Sequence, residues 1–392
     1  MRPLLLILTV LALALPANSP VESQQKRIVK IATQSPLSGG QAAVGEGLRL
    51  GAQLAIEQFK GPVEKLDFYV ELVSFDDEAR SDVAVANARN IIADKEILLV
   101  IGHLQGTAIS ASEVYREAQL AMISPAIHPT LTDRNYSNVS RVSGRDDVQG
   151  VAGAEFATSL GGKTAYVIHD RTTYGQRVAE SFRDRAKKLG IAVVGFEGTE
   201  ERSNFDPIIT PIKAKNPDLI YFGGIHDQAA PFFKQTREKG VKSKFLGPEG
   251  MDSSALAKIA GKAVVGMYYT SVVGPVTVYP KAKEFAKAFK EKFKKDPESF
   301  SAQAYDATAI GLKGLEAAIK AAGGKLPSRE AVMVAVRKVK HSGITGTIEF
   351  DEKGDPKKAL YFVFRVVSDD PAKWDESKEV RRLEITAPAL KR

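Results

Sequence analysis

The feature that most constrains this chain is a series of short apolar runs, each followed by a segment compatible with a helix. The first run is RIVKIAT, which begins at Arg27, and the last is GMYYTSVVGP, which ends at Pro275. Between them lie LDFYVELVSFDDEA, ILLVIGHL, QLAMISPA, TAYVIHD, IAVVGFEGT, DLIYFGGIHD and SKFLGPEG. Strand-like runs that alternate with helical segments indicate parallel sheets covered by helices on both faces. We therefore predict an α/β fold.

The runs exceed what one open sheet comfortably holds, and a polar segment with two glycines, 138–150, interrupts them. We therefore predict two doubly wound lobes. After Pro275 the periodicity becomes helical, and the stretch ITGTIEFDEKGDPKKALYFVFRVV then shows two alternating runs around a turn, which is typical of a β-hairpin. The tail from 368 to 392 is polar, and we expect it to be poorly ordered.

The N-terminus has the layout of a secretory signal peptide. Arg2 precedes an apolar run from Leu4 to Leu15, which small residues follow. That run of 12 residues is shorter than the roughly 20 that a membrane-spanning helix needs. We predict a signal peptide over 1–24 and export of a soluble protein to the periplasm. The chain has no cysteine, which excludes disulfides, thiolate metal sites and a cysteine nucleophile.

Two broad function classes are disfavoured by the sequence. The formal net charge is +8, but lysines and arginines alternate with acidic residues along helical segments, so nucleic acid is not an expected partner. There is no phosphate-binding loop, GxGxxG fingerprint or GxSxG elbow. His103, His128, His169 and His226 follow strand-like runs without a close ligand partner. We expect no metal, no cofactor and no enzyme, and an exported hydrolase stays as the weakest alternative.

The residues that directly follow the apolar runs are unusual in composition. Segments such as GHLQGT (102–107), SPAIHP (124–129) and GPEG (247–250) are rich in glycine, serine and proline and poor in charge. Ligands of open α/β sheets collect at the carboxyl ends of the strands. Ordinary turn chemistry explains most of these residues singly, but their combination suits a small-molecule site formed by backbone amides and a few polar side chains.

In their order along the chain, VIGHLQGTAISASEVY, MISPA, VIHDRTTYGQ, YFGGIHDQ, FLGPEG, AYDA and FDEKGDPK resemble the leucine/isoleucine/valine-binding proteins of bacterial ABC importers. The resemblance covers about residues 28 to 367. It implies a type I periplasmic binding protein whose two lobes are joined by a three-crossover hinge. Residues 27–142 with 274–346 would form lobe 1, and 143–273 with 347–367 would form lobe 2.

The same resemblance implies roles for individual residues. Tyr174 matches the aromatic residue that faces the ligand from the second lobe, and Glu249 matches the acid that pairs with the ammonium of an amino acid. Ala126 matches a position whose backbone holds the same head group. Backbone N–H groups at Gly106, Thr107 and residue 108 could bind a carboxylate.

Other positions depart from the family. Gly106 stands where a serine contacts the ligand carboxylate, and Ile127 or His128 occupies the place of a threonine. Ile225 replaces a tyrosine and Val44 an aromatic residue, which reshapes the apolar end of the site. Ala79 and Gln105 stand in place of a cysteine pair.

The expected function is therefore capture of a small amino acid, branched-chain or related, by hinge closure of a monomer, and its delivery to an ABC permease. An aromatic or organic acid, an amide, or a sensory role on the same fold stays as the alternative.

Overall fold

The computed structural model describes residues 27–279 and 281–389, and the predicted signal peptide lies outside them. The strands are β1 (Arg27–Ser35), β2 (Phe68–Asp76), β3 (Ile97–Gly102), β4 (Ala121–Ser124), β5 (Val139–Arg141), β6 (Thr164–His169), β7 (Ala192–Gly198), β8 (Leu219–Gly223), β9 (Lys244–Gly247), β10 (Tyr268–Ser271), β11 (Lys340–Ser342), β12 (Thr347–Glu349), β13 (Lys358–Arg365) and β14 (Lys378–Thr386).

Helices fill most of the connections between these strands. They are α1 (Ala42–Phe59), α2 (Gly61–Glu64), α3 (Ser81–Ala93), α4 (Gln105–Glu117), α5 (Thr130–Asp133), α6 (Gln149–Ser159), α7 (Thr173–Lys188), α8 (Asp206–Lys215), α9 (His226–Glu238), α10 (Ser254–Ala260), α11 (Ala282–Phe293), α12 (Ser301–Ala321) and α13 (Arg329–Arg337). Each of the nine predicted apolar runs contains one strand of this series.

The first sheet has five parallel strands in the order β2-β1-β3-β4-β5. All six residues of β3 are buried, as expected of a parallel strand with helices on both faces. Apolar residues of α3 and α4 cover one face, and those of α1, α12 and α13 cover the other. The strand order reverses between β1 and β3, which is the switch point where such sheets bind ligands.

The second sheet repeats this order. Strands β7-β6-β8-β9-β10 are parallel, and β13 and then β14 extend the sheet antiparallel beyond β10. Its own switch point lies between β6 and β8. The predicted α/β class with two doubly wound lobes is confirmed; we call the first sheet with its helices the first lobe, and the second sheet with its helices the second lobe.

The predicted hairpin over 344–367 is wrong in its pairing. Strand β12 pairs with β11, whereas β13 pairs with β10 and β14. The two runs are joined near the turn by an isolated bridge between Phe350 and Pro356 and by a main-chain hydrogen bond from Lys357 N–H to the carbonyl oxygen of Glu349 at 2.8 Å. Ile348 and Phe350 are buried in the core of the first lobe, and Phe362 and Phe364 are buried in that of the second. Alternation correctly marked two half-buried strands, but it carries no information about which sheet buries each strand.

The expectation that the tail 368–392 is poorly ordered is also wrong for most of its length. Lys378–Thr386 forms β14, the edge strand of the second sheet. The buried Trp374 donates from Nε1 to Asp252 Oδ1 at 2.7 Å and stacks on Tyr269 with ring centroids 6.0 Å apart. An edge strand in a mixed charged sequence buries only a few apolar side chains, so its composition resembles that of a tail.

The chain passes between the lobes three times, after β5, after β10 and after β12. At Gly144 the first crossing lies against the second crossing and strand β13, because a Cβ atom there would be 3.1 Å from Val272 Cγ1 and 2.7 Å from Tyr361 Oη. Tyr361 Oη also accepts from the N–H of Arg145 at 2.8 Å. The division into lobe 1 and lobe 2 at the residue boundaries given above stays a prediction.

A buried carboxylate, Asp355, joins the first and third crossings. Its Oδ1 accepts from Arg141 Nε at 2.8 Å and from the Thr132 hydroxyl at 2.7 Å. Its Oδ2 lies 3.1 Å from Arg145 Nη1 and 3.2 Å from Lys353 Nζ. Burial acts to raise the pKa of Asp355, but Arg141, Thr132, Arg145 and Lys353 outweigh it and hold the pKa at about 2.

We expect Asp355→Asn to lower the free energy of unfolding by about 3–5 kcal/mol, because it leaves buried arginines without their counter-ion. The pKa of Asp355 is depressed in the folded protein, so its contribution is present above the unfolded-state value of about 3.9 and is lost as pH falls toward 2. Urea unfolding at pH 7 and at pH 3 measures both effects.

Asp82→Asn is the matched control, because it breaks an exposed pair with Arg80 by the same chemical change. It should alter stability little at either pH. If Asp355→Asn is no more destabilising than Asp82→Asn at pH 7, the ion cluster does not hold the crossings together.

Candidate functional site

The carboxyl ends of β3 and β4 in the first lobe, and of β6, β8 and β9 in the second, carry most of the predicted site residues. In the first lobe, the turn from β3 into α4 requires Gly102, whose φ is +127° and whose Cβ would lie 2.3 Å from the carbonyl oxygen of Gln34. The helix then begins at Gln105, preceded by Leu104, which offers no side-chain cap.

The start of α4 presents backbone N–H groups. The first N–H groups of any α-helix lack an intrahelical acceptor, and here they include those of Gly106 and Thr107. Gly106 is exposed and Thr107 is buried. The hydroxyl of Thr107 donates to the carbonyl oxygen of Leu104 at 2.7 Å. What this helix end offers an anion is therefore main-chain N–H and the positive end of the helix dipole.

The loop after β4 holds Ala126 and His128. Ala126 is fully buried, its N–H donates to Ser124 Oγ at 3.0 Å and its carbonyl oxygen accepts from Arg141 Nη1 at 2.5 Å. His128 is half-buried, and its Nδ1 accepts from the N–H of Thr130 at 3.2 Å. A ligand contact at Ala126 would have to use the second lone pair of its carbonyl oxygen, and its role stays a prediction.

In the second lobe the structure brings Tyr174, Ile225 and Glu249 together. Tyr174 lies in the first turn of α7, and its Oη accepts from the N–H of Gly250 at 3.3 Å. A Cβ on Gly250 would lie 2.3 Å from the carbonyl oxygen of Gly224 and 3.0 Å from Ile225 Cγ2. The segment that carries Glu249 therefore rests directly on the loop between β8 and α9. Ile225 is 41% exposed and precedes α9.

Two hydrogen bonds hold Glu249, one from its main-chain N–H and one to an oxygen of its carboxyl group. Its N–H donates to Gln149 Oε1 at 2.7 Å, and its Oε2 accepts from the N–H of Val272 at 3.2 Å. Within residues 27–279 and 281–389, Oε1 has no hydrogen-bond donor. Burial raises the pKa of Glu249 to about 7, against the N–H of Val272. The carboxylate is thus a strong acceptor that lacks a cation.

Several residues around this cluster were not predicted. Gln149, fully buried at the start of α6, accepts from both Glu249 and the Thr270 hydroxyl. Asp146 is buried 3.2 Å from Arg177 Nη2, and burial raises the pKa of Asp146 to about 6. Both residues lie in the polar segment 138–150. The composition of that segment indicates a break between two lobes and gives no indication of a binding site.

No hydrogen bond in the described part of the chain joins the first-lobe group, Gly106 and Thr107, to the second-lobe group, Tyr174, Ile225 and Glu249. The loop with Ala126 and His128 is tied to the first crossing instead, because the carbonyl oxygen of Ile127 accepts from the N–H of Asp146 at 2.9 Å. The site therefore consists of two half-sites on either side of the crossings.

The four histidines at strand ends do not meet. His103 is fully buried against Tyr115, His128 and His169 each accept from a neighbouring main-chain N–H, and His226 begins α9. Over residues 27–279 and 281–389 there is no group of three histidine or acidic side chains placed to hold a metal ion. In the same residues no helix is both long and apolar enough to span a bilayer.

Comparison with known proteins agrees with this geometry. The family model described as periplasmic binding protein matches residues 28–371. An amino acid binding protein of Pseudomonas aeruginosa is 31% identical over 381 residues, which is 95% of this chain and 97% of that protein. The leucine-, isoleucine-, valine-, threonine- and alanine-binding protein of the same organism is 33% identical over 340 residues, covering 86% and 89% of the two chains.

Solved structures have the same fold. A leucine-binding protein from Thermotoga maritima superposes with a TM-score of 0.68 at 28% identity, over 92% of this chain and 99% of that one. A structure described as a putative branched-chain amino acid ABC transporter protein from Rhodospirillum rubrum gives a TM-score of 0.74 at 24% identity, over 90% and 100%. The predicted type I binding-protein fold is confirmed.

The resemblance read from the sequence, and the prediction of a substrate-binding protein rather than an enzyme, are confirmed by these matches. The match spans both sheets, and the relatives are covered over nearly their whole length. The chain belongs to the periplasmic binding protein family.

Proposed function

We propose that this protein captures an amino acid in the periplasm and delivers it to the permease of an ABC importer. The observation that carries the proposal is Glu249, a half-buried residue whose carboxyl group has one oxygen bonded inside the protein and the other without a donor among the described residues. A carboxylate that is partly removed from water and has no cation beside it favours a ligand that brings an ammonium group.

The carboxylate of the same amino acid has a matching place in the first lobe. The unpaired N–H groups at Gly106 and Thr107, with the dipole of the 13-residue helix α4, favour an anion. The ligand would therefore present its ammonium to the second lobe and its carboxylate to the first. Hydrogen bonds to charged groups are about twice as strong as neutral ones, which suits recognition of a zwitterion.

Two half-sites on separate lobes favour the closed form when the ligand bridges them. A ligand shifts an equilibrium between open and closed forms only by binding the two forms differently, and contact with both lobes exists only when they are closed. The three crossings supply the hinge. Closure then marks the loaded state for the permease. We propose that the protein acts as a monomer, exported by the signal peptide predicted over 1–24.

The side chain of the ligand would lie against Ile225 and Tyr174. Ile225 is exposed, and it is smaller than the tyrosine found in the resembling family. Gly106 offers no hydroxyl. A ligand bulkier than leucine, an aromatic or organic acid, or an amide is therefore the alternative, and presentation of the ligand to a receptor rather than a permease is the alternative role.

We expect thermal unfolding of the unliganded mature protein to shift upward with at least one amino acid in a panel of leucine, isoleucine, valine, alanine, phenylalanine and glutamine. A ligand present at 100 times its Kd adds about 2.7 kcal/mol of stability. Benzoate and propionamide are the comparison ligands. A shift with benzoate and with no amino acid would show that the ligand is an organic acid and would contradict the proposed ammonium contact.

We expect affinity for the amino acid that gives the largest shift to rise with pH up to about 7. Burial raises the pKa of Glu249 to about 7, so below that pH the group must release a proton before it can pair with an ammonium. Linkage then gives up to about a tenfold gain in affinity per pH unit between pH 5 and 6, and a plateau above pH 7. Isothermal titration calorimetry over pH 5–8 measures this profile.

Glu249→Gln should weaken binding at pH 7.5 by at least about tenfold and flatten the profile, because the amide stays neutral. Glu117→Gln, the same change at an exposed position at the far end of α4, is the matched control and should leave both unchanged. A profile that Glu249→Gln leaves as steep as in the original protein would remove the ammonium role of Glu249.

A further inference from the structure

A chain of four buried polar side chains lies next to the start of α4, and the candidate binding residues do not include any of them. Gln34 in β1, Asp77 after β2, His103 after β3 and Tyr115 in α4 are all fully buried. Tyr115 Oη donates to Gln34 Oε1 at 2.8 Å and lies 3.1 Å from His103 Nε2. His103 Nδ1 lies 3.3 Å from Asp77 Oδ2.

The contacts of Gln34, at one end of the chain, determine which atom donates and which accepts in the hydrogen bonds that follow. Gln34 Nε2 donates to the carbonyl oxygen of Ala84, 3.0 Å away, and a carbonyl can only accept. Gln34 Oε1 is therefore the acceptor of the Tyr115 hydroxyl hydrogen. The Tyr115 oxygen must in turn accept from His103, so Nε2 of that ring carries a hydrogen.

At the other end, one more hydrogen is needed. With a hydrogen on Nε2 alone, the lone pair of His103 Nδ1 would face a carboxylate oxygen of Asp77 in a buried site, which is repulsive. A single hydrogen shared between Asp77 Oδ2 and His103 Nδ1 would remove this repulsion. Burial lowers the pKa of the His103 ring, and the neighbouring Asp77 acts in the opposite direction.

This chain links two strained loops. Asp77 Oδ1 accepts from the N–H of Ala79 at 3.0 Å. Glu78 and Ala79 have φ of +51° and +56°, and Gln105, two residues after His103, has φ of +44°. Residues other than glycine hold such angles only when surrounding contacts impose them. With no cysteine in the chain, no covalent bond can fix these loops to each other.

The two loops meet where the ligand is proposed to bind. Gly106 follows the strained Gln105, and a Cβ on Gly106 would lie 3.9 Å from Ser81 Oγ at the start of α3. We propose that Gln34, Tyr115, His103 and Asp77 are positioning residues: their chain of buried polar contacts fixes the start of α4, and with it the N–H groups that receive the ligand carboxylate. This role rests on the proposed function, but the immobilisation of the loops does not.

Asp77→Asn and Asp77→Ala separate positioning from mere packing. Asparagine keeps the acceptor for Ala79 and can donate to His103 Nδ1, so it preserves the chain without the shared hydrogen. Alanine breaks the chain at that point. We expect Asp77→Ala to speed amide hydrogen exchange across 76–82 and 103–110 at least tenfold and to weaken leucine binding at least tenfold, and Asp77→Asn to change each less than threefold.

Tyr115→Phe provides a second break that removes a single oxygen, and it serves where Asp77→Ala does not fold. It should speed exchange across 103–110, whereas Tyr69→Phe, at an exposed tyrosine of β2, should not. The proposal is overturned if Asp77→Ala or Tyr115→Phe lowers the melting temperature while exchange in these two segments stays unchanged. It is equally overturned if Asp77→Asn and Asp77→Ala behave alike.

The exchange measurement uses the unliganded protein, so it tests the positioning role whatever the ligand is. If the unaltered protein does not bind leucine, the amino acid that gives the largest thermal shift replaces it. If no amino acid shifts the unfolding temperature, the proposed function fails, and the comparison of exchange rates still decides whether the buried chain fixes the start of α4.

Discussion

The arrangement of the two lobes depends on the buried ion cluster around Asp355. Its carboxylate touches Arg141 and Thr132 from the first lobe and Arg145 from the first crossing, while it sits itself in the third crossing. Arg145 in turn binds Asp133 of α5 and Asp147 beside α6 with two contacts each. Breaking such a cluster would leave a buried charge without its partner, which is strongly unfavourable. The cluster therefore holds the first and third crossings together.

With the crossings held together by this cluster, the two lobes themselves can share one simple architecture. The five parallel strands of each lobe repeat the same strand order. The start of α4 and the Glu249 segment then offer opposite electrical character, N–H groups on one side and a carboxyl on the other. Neither half-site binds a zwitterion well alone, because each satisfies only one of its two charges. Under the proposed function, selectivity for ligands with both charges would come from the separation of the half-sites.

The sequence was sufficient for what is local or periodic. The nine apolar runs predicted the strands from β1 to β4 and from β6 to β10, since a buried parallel strand needs an unbroken apolar segment. It was insufficient for β14, whose charged residues face solvent at a sheet edge, and for the partners of β12 and β13, because pairing is decided by which core buries their side chains.

The site residues also fall into those that the sequence predicted and those that only the structure revealed. The resemblance in motifs led to Tyr174, Ile225 and Glu249, which the fold brings into contact. Gln149 was missed because its role depends on Glu249, 100 residues later, and the link from Tyr115 to Gln34 spans 81 residues. No periodicity encodes such pairs. A buried glutamine or histidine reads in sequence as an ordinary turn or helix residue, and only the folded chain shows what it is bonded to.

The chain from Asp77 to Gln34 also bears on how the protein reaches its folded form. Its loops are joined by hydrogen bonds alone, so no thiol has to be oxidised and no wrong disulfide can form. Folding of this chain is therefore independent of the redox potential around it, and an oxidising and a reducing compartment give the same product.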